Sequence, residues 1–120
     1  MADGDGPAEG DDWRSVTEYD KLVRDEIPRI VREDGDVPET HVADDAEYER
    51  RLREKLVEEA EEFAESGDAA ELGDVLDVVD AVLANAEYSR EQVEALRAEK
   101  AAARGGFADR IVLDRVRERS

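Results

Sequence analysis

The stretch RLREKLVEEAEEFAESGDAAELGDVLDVVDAVL, residues 51–83, decides the fold. Two helical patterns meet at Ser66, Gly67 and Asp68, where Gly supplies the left-handed residue that ends one helix and Asp opens the next. The reading is a first helix over residues 44–65 and a second from 68 to about 86, folded into an antiparallel hairpin.

At about 100° per residue, Leu52, Leu56, Ala60 and Phe63 share one stripe of the first helix, and Glu59 falls within it. A glutamate that only solubilises the chain has no reason to lie there. Glu62 sits at the edge of the same stripe. On the second helix Leu72, Val75, Leu76, Val78, Val79, Val82 and Leu83 cover nearly half the circumference, which predicts burial between neighbours. Glu71 projects between Val78 and Val82, and Asp74 lies beyond Val78 on that side.

Both helices rise by about 1.5 Å per residue, so residues equidistant from the turn stand at the same height. Glu59 then faces Asp74 and Glu62 faces Glu71. Two carboxylates about 5 Å apart repel by roughly 3 kcal/mol at an effective dielectric of 20, and burial raises that cost. A hard divalent cation removes the conflict, and ligands that are all oxygen suit magnesium or manganese. With 35 acids among 120 residues, such spacing also arises by accident, and Glu71 fits a capping box with Asp68 that needs no metal. What singles the cluster out is that Glu59 and Glu71 interrupt apolar stripes.

The motif EExxE followed by ExxD, here Glu58, Glu59 and Glu62 with Glu71 and Asp74, resembles the all-α nucleoside triphosphate pyrophosphohydrolases. This is the MazG-like superfamily that also holds phosphoribosyl-ATP pyrophosphohydrolase. The flanks YDKLVRDEIPRIV, residues 19–31, and EKAAARGGFADRIVL, residues 99–113, look like a compact single-domain branch described as phosphoribosyl-ATP pyrophosphohydrolase-like. The likeness covers about residues 19–116. It implies an all-α fold that cleaves nucleotides between the α and β phosphates, giving a nucleoside monophosphate and pyrophosphate. It also implies magnesium on Glu59, Glu62, Glu71 and Asp74, and a homodimer or homotetramer with the site near the subunit interface.

Composition sets bounds around this reading. A length of 120 residues suits one domain, residues 17–120, after an acidic tail over 1–16. No apolar run approaches the roughly 20 residues needed to span a bilayer, and no leader is evident, so a soluble, cytoplasmic protein is expected. Cysteine is absent and His41 is the single histidine, which excludes disulfides, thiolate sites and zinc clusters. A net charge of −18 repels nucleic acid polymers and anionic membranes. The acid surplus matches a halophilic cytoplasm, where dense cations screen such repulsion.

Elsewhere the chain offers fewer signals. Trp13 stands alone in the tail. Residues 19–32 carry Leu22, Val23, Ile27, Ile30 and Val31 at helical spacing, with Pro28 at a first turn or a kink. Lys21 and Arg24 either pair with nearby acids or face nucleotide phosphates, the second being the reading the resemblance favours. His41 reads as a solvent or edge residue. Ser89 and Gln92 open a further helix as a capping box, with Val93, Leu96 and Ala103 on its inner face and Gly105 and Gly106 at its end. Lys100 and Arg104 near that end either complement the helix dipole or form a second phosphate-facing cluster. Residues 39–43 and 110–116 could pair as a small two-stranded ribbon.

The expected function is therefore a magnesium-dependent nucleotide pyrophosphohydrolase, house-cleaning or acting on a phosphoribosyl-ATP-like substrate that arrives as its metal complex. Glu58, about 100° from its neighbours on the wheel, is the candidate catalytic base or a solvent-facing residue. Asp77 is a reserve ligand or substrate contact, and Asp80 a contact for substrate or partner. The rival readings are a non-catalytic acidic oligomerisation module and a divalent-cation binder adapted to high salt.

Overall fold

A computed structural model describes residues 15–119, and Trp13 with most of the predicted tail lies outside them. The described chain is all-helical: α1 (Ile27–Glu33), α2 (Asp45–Ser66), α3 (Ala69–Asn85) and α4 (Arg90–Arg104). No helix is long and apolar enough to cross a membrane among the described residues.

Local chemistry sets each boundary. The Asp44 side chain caps α2 by accepting from the Glu47 N–H at 2.8 Å. Gly67, at φ +69°, ends it, and its N–H donates to the Phe63 carbonyl at 2.7 Å. Asp68 starts α3 from an extended backbone without a side-chain cap, so no capping box engages Glu71. Ser89 and Gln92 form the reciprocal box at the start of α4, at 3.1 and 2.7 Å.

Pro28 occupies the first turn of α1, and this seven-residue helix closes at Asp34 ahead of Gly35 at φ +92°. Continuing helix through Pro28 would press its ring against the Arg24 carbonyl. That carbonyl instead accepts from the Ile27 N–H at 3.1 Å, and residues 19–24 run outside any helix. The helical spacing of Leu22 and Val23 is thus overruled by one residue downstream.

The helices α2 and α3 pack along one another, and among the described residues no other pair packs comparably. Their seam holds Leu52, Val78 and Glu59, the buried residues among those described. Three expectations fail here. The second face of α3 is uncovered, with Leu72 at 44% and Leu76 at 58% exposure. The inner face expected of α4 buries no residue: Val93 is half-covered and Leu96 is 65% exposed. The ribbon is absent: residues 39–43 and 110–116 form no strand. A two-stranded ribbon is marginal by itself and needs a packed face, which exposed Val42, Ile111 and Leu113 do not provide.

One hairpin is therefore the organised core, and the remaining apolar faces lie open.

Gly67→Ala is expected to cost about 1 kcal/mol through left-handed backbone strain alone. No atom lies within 4 Å of an added Cβ there or at Gly73. Gly73→Ala, within α3, should instead stabilise by roughly 0.5–1 kcal/mol. Urea unfolding midpoints check both signs.

Candidate metal centre

The hairpin brings together acids that are twelve to fifteen residues apart in sequence. Candidate ligand oxygens of Glu59, Glu71 and Asp74 lie within 4.8 Å of one another, as do those of Glu58, Glu59 and Glu62. Glu59 belongs to both groups and is the buried member, at 6% exposure. It reaches the seam because it replaces an apolar residue in the stripe led by Leu52. Exposed acids gather on many surfaces, so the burial of Glu59 is what distinguishes this cluster.

Cationic side chains enter the same space from two directions. Lys55, one turn before Glu59 on α2, places Nζ 3.0 Å from Glu59 and 3.2 Å from Glu58. From the segment before α1, Lys21 Nζ reaches Glu58 at 2.9 Å. Arg24 Nη2 donates to Asp74 Oδ1 and to Asp77 Oδ2, both at 2.8 Å. Six carboxylates (Glu58, Glu59, Glu62, Glu71, Asp74 and Asp77) thus meet three cationic heads, leaving three negative charges unmatched.

The excess charge is felt most at Glu71. Burial, then the charges of Glu62, Asp74 and Glu59, push its carboxyl above the usual range. Glu58 moves the other way, its pKa lowered chiefly by the hydrogen bond from Lys21 and also by Lys55, against a smaller cost of burial. A carboxylate held by two ammonium groups is a poor proton acceptor, which weakens the case for Glu58 as general base. At Lys55 burial lowers the pKa, but pairing with Glu59 and Glu58 outweighs it and the group remains charged.

The other predicted residues separate clearly. Asp77 belongs to neither trio and holds Arg24 instead. Asp80 pairs with Arg90 at the start of α4. Lys100 and Arg104 lie on α4, and neither pairs with a site carboxylate among the described residues. His41 is exposed and pairs with Glu47 at 2.9 Å.

Two residues escaped the sequence reading. Lys55 was detectable from its spacing of three and four residues before Glu58 and Glu59. Arg51 anchors the segment before α1, donating to Asp20 Oδ1 at 2.7 Å and to the Asp20 carbonyl at 2.8 Å. Nothing local in the sequence pairs positions 31 residues apart.

The donor set fits magnesium or manganese: every candidate atom is a carboxylate oxygen, charge is in excess, and the acids rim an accessible edge rather than closing a cage. Comparison of the chain with family models, with curated protein sequences and with solved structures finds no match.

The raised pKa of Glu71 fixes a sign. Folding favours its protonated form, so its ionised form opposes the metal-free fold at neutral pH, and that opposition vanishes as pH falls through the raised value. Glu71→Gln, in chelator, should raise the melting temperature by a few degrees near neutral pH and change little below the carboxylate range. Cation binding should weaken as pH falls towards the same value, because protons compete for Glu71.

Proposed function

We propose that this chain is a magnesium-dependent nucleotide pyrophosphohydrolase, cleaving between the α and β phosphates to release pyrophosphate and a nucleoside monophosphate. One observation carries the reading: the buried Glu59 stands at the junction of two carboxylate trios that retain an unmatched negative charge. The sequence likeness of EExxE and ExxD to the MazG-like enzymes supplies the reaction.

In this reading Glu59, Glu71 and Asp74 hold the cation, with Glu62 and Glu58 available from the second trio. Magnesium, when bound, would offset triphosphate charge and acidify water in its shell. Lys21 and Arg24 reach the acid cluster from its rim, where a phosphate chain would approach. Each would transfer a hydrogen bond from carboxylate to phosphate oxygen as substrate enters. With water as the attacking group, no covalent enzyme intermediate is needed.

The substrate class is a nucleoside triphosphate or a phosphoribosyl-ATP-like nucleotide, bound as its metal complex. The open faces of α3 and α4 support a homodimer or homotetramer, in which Lys100 and Arg104 of one copy could serve the acids of another. Light scattering that finds only monomer would remove that part of the reading.

Pyrophosphate release with magnesium and a panel including phosphoribosyl-ATP, dUTP and oxidised dGTP is the test. Glu59→Gln and Asp74→Asn should each reduce turnover by about 100-fold or more, since even outer-shell partners of a metal typically contribute 10- to 100-fold. Cation binding without pyrophosphate release from any nucleotide would favour the binder that does not catalyse.

A further inference from the structure

The segment before α1 is tied to the hairpin through three charged side chains within five residues. Asp20 is held by Arg51 on α2, Lys21 by Glu58 on α2, and Arg24 by Asp74 and Asp77 on α3. Two of these three attachments use carboxylates that belong to the candidate cation trios. The first uses none of them.

The geometry at Arg24 is specific. A single nitrogen, Nη2, bridges Asp74 and Asp77 at equal distances of 2.8 Å. Asp74 converges with Glu59 and Glu71, whereas Asp77, one turn further along α3, does not. A guanidinium shared in this way occupies a charge position beside the cluster and can give up one partner while keeping the other.

We propose that Arg24 is a displaceable internal counter-ion of Asp74, and that residues 20–24 form a strap whose docking competes with cation binding. When Asp74 turns to a divalent cation, Arg24 retreats onto Asp77, and the Asp20–Arg51 pair keeps the strap from leaving altogether. The inference rests on the cation reading above and adds a coupling that reading does not contain. Loading the acids would free the Arg24 guanidinium for an anionic ligand.

The energetic scale makes the exchange feasible. The Arg24 side chain is 58% exposed and Asp74 is 40% exposed, so their pair contributes little against a dication carrying twice the charge. Removing Arg24 should therefore tighten cation binding about fivefold, the factor equivalent to roughly 1 kcal/mol for an exposed pair. An arginine that instead orients Asp74 for the ion would give the opposite sign.

The experiment is a manganese titration followed by electron paramagnetic resonance on the full chain, comparing wild type, Arg24→Ala and the control Arg53→Ala. Arg53 carries the same charge on α2 but pairs with Glu49. Tighter binding in Arg24→Ala, with Arg53→Ala unchanged, supports the proposal; equal or weaker binding in Arg24→Ala overturns it while leaving the cation site standing. Equal tightening in both variants also overturns it, since net charge alone would explain the effect. Failure of the wild type to bind manganese overturns the cation reading and the strap with it. As a second readout, amide exchange over residues 20–24 of the wild type should quicken when magnesium is added, while α2 and α3 become more protected. Slower exchange in the strap contradicts the competition.

Discussion

Like-charged carboxylates crowded along the seam of one hairpin are the constraint on which the rest of the structure depends. The seam is short of apolar material: Leu52 and Val78 are its buried hydrophobic residues, and the third buried residue is Glu59. Burying a carboxylate in so small a core is costly unless positive charge accompanies it. Lys55 supplies part of that charge from the preceding turn, at 3.0 Å. Burial, and after it the charges of Glu62, Asp74 and Glu59, push the Glu71 carboxyl up.

The same imbalance organises the approach to α1. Residues 20–24 have no helix to join, because Pro28 sets the start of α1 downstream of them. Arg51, Glu58, Asp74 and Asp77 hold the charged side chains of this segment, and Leu22 and Val23 within it are half-buried. Lys21 and Arg24 therefore stand where they do because the acids are there. An acid cluster built in this way carries its own counter-ions, Lys55, Lys21 and Arg24.

Much of the hairpin was legible in the sequence because its signals are local. Gly67 and Asp68 punctuate the chain, and the stripe led by Leu52 fixes which acids turn inward. Equal rise per residue then places Glu59 level with Asp74. Apolar spacing was a poorer guide elsewhere, for a physical reason: periodicity states that a face suits burial, not what will cover it. Leu72, Leu76 and Leu96 all sit at positions suited to a core, and all remain exposed in the single chain. Residues 110–116 alternate as a strand would, yet without a partner ladder they form no strand, and Arg110 turns into the left-handed region at φ +63°. The Asp20–Arg51 pair was invisible because no sequence rule connects a loop acid to one arginine among many.

A chain carrying a net charge of −18 responds to any salt, so general screening must be separated from occupancy of a site. The most direct measurement is thermal unfolding of the wild type in magnesium chloride against sodium chloride of matched ionic strength. Binding predicts stabilisation that rises with the logarithm of magnesium concentration above Kd, reaching about 2.7 kcal/mol at a hundredfold excess, and that sodium does not reproduce. Identical melting in the two salts would contradict a divalent cation among Glu59, Glu71 and Asp74.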